Sequence, residues 1–240
     1  MTILDKYKWV ARAWRYRLII EKHEIRFLIK HLKPGQIAVD IGSHKGAYAF
    51  WMYKSLGNNG SVYAFEPQPQ LYTTLKEIID ENEYNNIFLY PYAFSSKSGK
   101  SNLIIPKGVS SPSASIGKKK HPGDSIIEIK TTTLDDFFYK KKNISVDFIK
   151  CDVEGHELEV LHGGKLFFNY CRPIILIESE ARHCGKEKVM EVFDFLKCFD
   201  YEGYFHNGNK IVSIENFRIF EYQLDPNKTT YVNNFFFLPK

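Results

Sequence analysis

Short apolar runs alternate with segments of helical periodicity along most of the chain. The runs Ile37–Ile41 and Val62–Phe65 are apolar at nearly every position, as in strands buried on both faces of a parallel sheet. This alternation predicts an α/β fold with a mostly parallel sheet. Further strands are predicted at Ile87–Tyr90, Val146–Lys150, Ile174–Ile177 and Asn234–Leu238, and helices at Ala47–Leu56, Leu71–Asn82 and Lys186–Phe199 and from Glu157 to Phe168.

Two parts of the chain depart from this alternation. Residues 6–32 carry an apolar stripe at helical spacing and are followed by Pro34-Gly35, so they are predicted to form a helix ahead of the first strand. Residues 106–124 form a loop rich in Ser, Gly, Pro and Lys, which we expect to act as a lid over a binding site. The predicted division is an N-terminal basic helical extension, residues 1–33, and one domain, residues 34–240.

Positive charge is concentrated at the N-terminus. The 240-residue chain has a formal net charge of +5, and residues 1–33 hold nine lysines or arginines against three acidic residues. Such a helix is suited to peripheral contact with an acidic partner, nucleic acid or a membrane surface, although a solvated helix face is the more ordinary explanation. No apolar stretch approaches the ~20 residues that span a bilayer. With no signal-peptide pattern and no CxxC pair, the sequence predicts a cytoplasmic protein.

The first two strands end in residues that suit a nucleoside-bearing cofactor. Asp40 precedes a two-glycine turn that contains Gly42 and Gly46, and Glu66 directly follows the second strand. Ligands of parallel sheets bind at the carboxyl ends of the strands, where an acidic residue can accept both hydroxyls of a ribose. The GxxxG turn suits an amino-acid moiety better than a pyrophosphate, which GxGxxG would bind. Each of these residues also has a purely structural explanation, as a turn glycine or a helix cap.

A cluster of ionisable residues follows the fourth predicted strand of the sheet. Asp152, Glu154, His156 and Glu157 lie there, where strand-end groups with perturbed pKa values can perform acid/base catalysis. The alternative is that they cap the next helix and interact with its dipole. No second cluster of oxygen ligands accompanies them, so no metal site is predicted.

Three further residues are secondary candidates. Glu178 and Glu180 end the strand that starts at Ile174, and strand alternation predicts that one faces the pocket and the other solvent. His44 is a second candidate base, although a solvated loop histidine is the favoured explanation.

Six motifs, taken in order, resemble those of FkbM-type methyltransferases. Asp-x-Glu-Gly-x-Glu at Asp152–Glu157, with Leu134-Asp135 upstream, is specific, whereas the glycine loop alone is not. The resemblance extends from about residue 36 to the C-terminus. The motifs are VDIGSHKGAY at 39–48, FEPQP at 65–69, YAFSSKSG at 92–99, TTLDD at 132–136, DFIKCDVEGHE at 147–157 and NFFFLP at 234–239.

The resemblance implies a Rossmann-like class I methyltransferase fold, with a seven-stranded, mostly parallel sheet, an antiparallel last strand and helices on both faces. It implies S-adenosylmethionine as the cofactor and O-methylation of a hydroxyl on a sugar, a glycan or another small metabolite. By position, the methionine part would be lined by Asp40, Gly42 and Gly46 with Ser43 in the same loop, the ribose by Glu66, the adenine by Ala93, and the sulfonium by Asp152 and Glu154.

Methyl transfer to a hydroxyl is therefore the functional hypothesis, with His156 as the base and Asp152 or Glu154 as alternatives. Two other functions stay open. A nicotinamide-linked oxidoreductase shares the strand-end layout, but Ala47 stands where its third glycine is expected. A non-catalytic nucleotide- or RNA-binding module would use the basic helix. The sequence predicts neither the acceptor nor the oligomeric state.

Overall fold

The computed structural model describes residues 3–106, 113–117, 121–227 and 230–240. Within these ranges, no helix is both long and apolar enough to cross a lipid bilayer. The helices are α1 (Ile3–Arg15), α2 (Lys22–His31), α3 (Ala47–Leu56), α4 (Pro69–Glu81), α5 (Glu157–His162), α6 (Lys165–Tyr170), α7 (Ala181–Cys184) and α8 (Lys186–Cys198). The strands are β1 (Ile37–Ile41), β2 (Ser61–Phe65), β3 (Ile87–Tyr90), β4 (Tyr92–Phe94), β5 (Gly99–Ile105), β6 (Ser115–Ile116), β7 (Ser125–Thr132), β8 (Phe148–Cys151), β9 (Ile174–Glu178), β10 (Tyr201–His206), β11 (Ile211–Ser213) and β12 (Asn234–Pro239).

The main sheet has the strand order β11-β10-β12-β9-β8-β1-β2-β3. The neighbours from β9 to β3 are parallel, and β12 runs antiparallel to both β9 and β10. The predicted class I arrangement with an antiparallel last strand is confirmed, but the strand number is eight rather than seven. A backbone hydrogen bond of 3.0 Å from Asn207 N–H to the Lys210 carbonyl closes a short turn, which returns β11 alongside β10 as the extra edge strand.

The two faces of the main sheet bury different sets of side chains. Because successive strand residues point to opposite faces, Val39 packs on one side and Ala38 on the other. The first face is covered by α5, α6 and α8 together with a π-helical segment, Asp135–Lys142. The second face is covered by α1, α2, α3 and α4. The N-terminal extension is thus part of the packed domain, because the buried Trp9 lies against Phe50 of α3.

The N-terminal helix is interrupted, whereas a single helix over residues 6–32 is the prediction. A π-helical segment, Tyr16–Ile20, follows α1, and the backbone leaves helical geometry at Glu21 with φ −128° and ψ 53°. The Glu21 carboxylate accepts a hydrogen bond from the Tyr48 hydroxyl of α3. This contact between Tyr48 and Glu21 accompanies the interruption of the helix and directs the Glu21 side chain toward α3.

The helix predicted from Glu157 to Phe168 is also interrupted, since α5 and α6 are separate. Gly163 and Gly164 lie between them, and a Cβ on Gly163 would stand 2.2 Å from the carbonyl oxygen of Ser95. No side chain fits where Gly163 lies against the Ser95 carbonyl, so the chain turns there instead of continuing as a helix.

A second sheet, β4-β7-β5-β6, occupies the part of the chain that departs from the βα alternation. It begins directly after β3, and its apolar side chains form a separate small cluster around Leu103 and Ile129. The predicted lid loop, residues 106–124, includes β6. Residues 107–112 and 118–120 lie outside the described residues, so the lid stays a prediction.

Candidate active site

A cavity opens at the carboxyl ends of the parallel strands β1, β2, β8 and β9. The second sheet contributes to its wall through Phe94, Leu103 and Ile116. Eight residues predicted from the sequence as cofactor-binding or catalytic residues lie together in its lining: Asp40, Gly42, Ser43, Glu66, Ala93, Asp152, Glu154 and His156.

The turn after β1 passes very close to the loop after β8. Gly42 has φ +81°, and a Cβ at this position would stand 1.9 Å from the Asp152 carbonyl oxygen. Ser43 anchors the same turn, because its hydroxyl donates to the Asp40 carbonyl at 2.9 Å and accepts from Phe65 N–H at 3.1 Å. The turn therefore requires glycine for both conformation and space.

Gly46 is the one predicted cofactor-binding residue that the structure does not place in the lining of the cavity. It has φ +75°, and a Cβ would stand 2.7 Å from Leu75 Cδ1 and 2.8 Å from Trp9 Nε1. Its carbonyl accepts a hydrogen bond from the Trp9 indole at 3.2 Å. The absent side chain thus makes room for the N-terminal helix, and a contact between Gly46 and a cofactor stays a prediction.

Glu66 is almost fully buried at the end of β2. Its carboxylate accepts backbone N–H groups from His44 at 2.7 Å and from Gln68 at 2.9 Å. Burial raises the pKa of Glu66 to about 7. The Gln68 side chain also hydrogen-bonds to this carboxylate, which has about four lone-pair sites, so part of its accepting capacity stays available toward the cavity.

The loop after β8 is held by a carboxylate beneath it. The buried Glu157 accepts hydrogen bonds from Val153 N–H at 3.0 Å and Gly155 N–H at 3.1 Å. Between these two residues, Glu154 adopts the left-handed conformation with φ +57°. Glu157 is thus a positioning residue for Glu154 and its neighbours, and burial raises its own pKa to about 7.

Lys150 is a component of the site that the sequence analysis missed. It lies in the lining of the cavity on β8, is 1% exposed, and forms an ion pair of 3.1 Å with Asp152. Burial alone would lower the pKa of the Lys150 amine, but the nearby carboxylates of Asp152, Glu21 and Glu178 outweigh burial and raise it. A lysine within an otherwise apolar, buried run was the available signal.

Asp152 lies between a cation and an acid. Burial opposes its ionisation, but Lys150 and a hydrogen bond with Glu178 lower the pKa of Asp152. Burial and the neighbouring Asp152 raise the pKa of Glu178. The amide of Asn233 donates to Glu178 Oε1 at 2.6 Å and fixes this side chain.

Of the two glutamates after β9, only Glu178 lines the cavity. The prediction that the other faces solvent is wrong, because Glu180 is 1% exposed. Its carboxylate pairs with Arg182 at 2.6 Å and with His183 at 2.7 Å. These partners lie on the short helix α7, which brings them back over the end of β9.

The two candidate histidines lie in different parts of the cavity. His156 Nε2 is 2.9 Å from the Ser95 hydroxyl, next to Ala93 on the side of the second sheet. Burial lowers the pKa of His156. His44 is half-buried rather than fully solvated, and burial, together with Lys45 and Arg12, lowers its pKa to about 4.

The N-terminal segment supplies a wall that sequence reasoning also missed. Arg12, Tyr16 and Glu21 line the cavity, close to Lys150 and Glu178. Burial raises the pKa of Glu21, against the effect of Lys150 and the Tyr48 hydrogen bond. Among the residues the structure describes, no group of histidine, cysteine and acidic side chains is arranged to hold a metal ion.

A family model described as the methyltransferase FkbM domain matches residues 40–212. This range contains the strand-end residues of β1, β2, β8 and β9 that line the cavity. It begins after the N-terminal segment, whose residues form the additional wall.

Two relatives of known function are similar in sequence. The hexuronic acid methyltransferase AglP of Haloferax volcanii is 32% identical over 155 residues, which cover 64% of this chain and 61% of the relative. The 2-O-methyltransferase NoeI of Sinorhizobium fredii is 25% identical over 190 residues, which cover 73% of this chain and 77% of the relative. The similarity to the first relative thus spans less than two thirds of its length.

The crystal structure of an FkbM methyltransferase from Methylobacillus flagellatus is similar in fold. It superimposes with a TM-score of 0.55 at 15% sequence identity, and the alignment covers 99% of this chain and 56% of that one. At this identity the similarity concerns the fold alone.

Proposed function

Because the chain belongs to the FkbM methyltransferase family, we propose that it transfers a methyl group from S-adenosylmethionine to a hydroxyl group of a sugar. The relatives named as a hexuronic acid methyltransferase and a 2-O-methyltransferase support a sugar acceptor. The observation that carries the proposal is the meeting of Asp40, Glu66 and Asp152 at the ends of three adjacent parallel strands, in one cavity.

The residues of the cavity fit S-adenosylmethionine. Glu66 has lone pairs left for ribose hydroxyls after accepting two backbone N–H groups. Asp40 Oδ2 is buried and has no hydrogen-bond partner among the described residues, so a cationic or hydrogen-bonding group of a ligand would satisfy it. Ala93 and Phe94 present apolar surface for a base. When bound, S-adenosylmethionine supplies a methyl group on a positively charged sulfur.

The acceptor is proposed to bind between Asp152 and the N-terminal wall. Tyr16, Glu21 and Glu178 offer hydroxyl and carboxyl groups there, which match the hydroxyl groups of a sugar. The lining of the cavity extends from Ala93 at the second sheet to Tyr16 and Glu21 of the N-terminal segment, so it offers separate regions for the cofactor and the acceptor. Holding two reactants in line can supply roughly 7–11 kcal/mol of the barrier reduction.

We propose Asp152 as the group that orients the acceptor hydroxyl and takes its proton. Its ion pair with Lys150 keeps it ionised, and Glu178 fixes its orientation. The sequence analysis ranked His156 first, but its contact with Ser95 lies beside Ala93, in the region assigned to adenine. His156 stays a candidate, and the experiment below distinguishes the two residues.

The test combines calorimetry with methyl-transfer assays on a panel of sugars that includes hexuronic acids. We expect the protein to bind S-adenosylmethionine and its demethylated product, and Glu66→Ala to weaken both. Asp152→Asn should lower kcat by about 100-fold or more while His156→Ala keeps most of the turnover. Glu191→Ala, at an exposed position of α8, is the control that should leave binding and turnover unchanged.

Absence of heat with both adenosyl ligands on folded protein would refute the proposed cofactor. Loss of turnover in His156→Ala but not in Asp152→Asn would assign proton transfer to His156 instead. Binding of a nicotinamide dinucleotide in place of S-adenosylmethionine would favour an oxidoreductase.

A further inference from the structure

Helix α1 has a second apolar stripe that faces away from the protein. Its inward side carries Trp9 and Ala13, both fully buried. Its outward side carries Tyr7 and Trp14, which are seven residues apart on one helical face and are 67% and 44% exposed, and one edge of Trp14 packs against Trp51. A helix that only packed on the domain would be polar on this side.

The stripe continues into the π-helical segment that follows α1. Leu18, Ile19 and Ile20 are 61%, 70% and 47% exposed and extend the apolar surface of Tyr7 and Trp14. We call the residues Tyr7, Trp14, Leu18, Ile19 and Ile20 the apolar rim. Five large apolar side chains exposed so close together form a patch, which is typical of an interaction surface.

The charged residues around the apolar rim are segregated by sign. Arg15, Lys22 and Arg26 are exposed beside it. The acidic residues of the same stretch point inward: Glu21 accepts from Tyr48, and Glu24 is half-buried, where burial raises its pKa. The outer surface therefore combines aliphatic side chains with positive charge.

The apolar rim adjoins the candidate active site. Tyr16 and Glu21 line the cavity, and Leu18, Ile19 and Ile20 lie between them in the chain. A surface that covered the apolar rim would consequently lie next to the acceptor side of the cavity.

We propose that the apolar rim docks on an anionic lipid bilayer, with α1 lying along the membrane surface. Aliphatic and aromatic side chains on one face with basic residues beside them are the features of interfacial helices, and the positive charge is complementary to anionic headgroups. Nucleic acid would match the charge but leave Leu18, Ile19 and Ile20 without an apolar partner. A second copy of the chain would match the apolar surface but bring like charges together.

The test is co-sedimentation of the full chain with vesicles, which needs no enzymatic activity. We expect binding to vesicles of phosphatidylcholine mixed with phosphatidylglycerol, weaker binding to phosphatidylcholine alone, and weakening by salt. The double substitution L18N/I19N should lower the partition coefficient about tenfold or more. Arg15→Gln and Lys22→Gln should each lower it about fivefold.

A matched control is Phe220→Asn, because Phe220 is 66% exposed but lies by Lys186 at the start of α8, on the other side of the main sheet. It should bind vesicles like the unchanged protein. Circular dichroism melts of all variants exclude unfolding as the cause of any loss.

Three results would overturn the proposal. The first is that vesicles of both compositions leave the protein in solution. The second is a dimer in sedimentation velocity that L18N/I19N dissociates, which would assign the apolar rim to self-association. The third is salt-dependent RNA binding without vesicle binding, which would assign the basic residues to nucleic acid. None of these measurements requires enzymatic activity, so the results are independent of whether methyl transfer occurs.

Discussion

The side chains that line the two walls of the cavity are held by different kinds of contact, although α1 itself is anchored to a backbone carbonyl through Trp9 and Gly46. In the wall made by the ends of β1 and β2, side chains bond to the backbone: Glu66 accepts N–H groups of His44 and Gln68, and Ser43 bonds to the Asp40 carbonyl. In the wall made by the N-terminal segment, the Tyr48 hydroxyl donates to the Glu21 carboxylate, a contact between two side chains. Backbone-anchored groups keep their position through most sequence changes, whereas side-chain pairs change with single substitutions.

This difference corresponds to the two parts of the proposed reaction. The strand-end wall lies within residues 40–212, which match the family model, and the N-terminal wall lies before them. We infer that the first wall binds the cofactor and that the second sets the preference for the acceptor.

The largest effect is expected where the two walls meet, at Lys150. Lys150→Met removes the buried cation that is paired with the half-buried Asp152 near Glu21 and Glu178, so the carboxylates lose its compensating charge. The free energy of unfolding should fall by about 3–5 kcal/mol, as measured by urea denaturation. Lys100→Met is the control, because its ion pair with Glu128 is exposed and its loss should leave stability unchanged. Equal stabilities of the two variants would show that the walls are not coupled through Lys150.

The strand-end wall itself is tested at Gly42. Gly42→Ala adds a Cβ 1.9 Å from the Asp152 carbonyl oxygen at φ +81°, so both clash and strain are expected. Stability should fall by about 3 kcal/mol, and calorimetry should detect no cofactor binding. In Gly35→Ala, at φ +85° with no atom within 4 Å of the new Cβ, strain alone should cost about 1 kcal/mol and leave binding intact. Normal cofactor binding in Gly42→Ala would contradict the geometry of this wall.

The N-terminal wall is tested by a double-mutant cycle on Glu21 and Tyr48. Tyr48→Phe leaves the buried Glu21 carboxylate without its donor, which should cost about 2 kcal/mol of stability. Glu21→Gln and the double variant should show that the effects are not additive. In assays, these variants should raise the KM for the acceptor and keep the affinity for the cofactor. The inverse result, weaker cofactor binding with an unchanged acceptor KM, would reverse the assignment of the walls.

The smallest effect per residue is a pH dependence of cofactor affinity. Burial raises the pKa of Asp40 and of Glu66 to about 7, so both carboxyl groups gain protons as pH falls below 7. Binding of a cation and of ribose hydroxyls favours the ionised forms, so affinity should rise about tenfold per group between pH 6 and pH 8, by titration calorimetry. His44 does not contribute, because its pKa of about 4 keeps it neutral in this range. Asp40→Asn should reduce the rise, and a flat profile in the unchanged protein would refute the assignment.

The strand-end wall of the cavity was predictable because neighbouring residues in the sequence specify each strand and the residue at its end. An apolar run that ends in an acidic or glycine residue specifies both a buried strand and what stands at its carboxyl end. Asp40, Gly42, Glu66 and Asp152 were found in this way, and parallel strands bring such ends to one edge of the sheet. The bounds of β1, β3 and α3 agree with the predicted ones for the same reason.

Contacts between segments that are far apart in the chain decided the remaining features of the fold and the cavity. The spacing of residues along the chain does not show that Glu21 meets Tyr48, that Gly46 makes room for Trp9, or that β11 adds an eighth strand. Sequence alone determined which segments are strands and which residues stand at their ends, because side-chain periodicity records local burial. Only the tertiary structure decided which helix closes the cavity and how its charges pair, because these depend on distances between segments far apart in the chain.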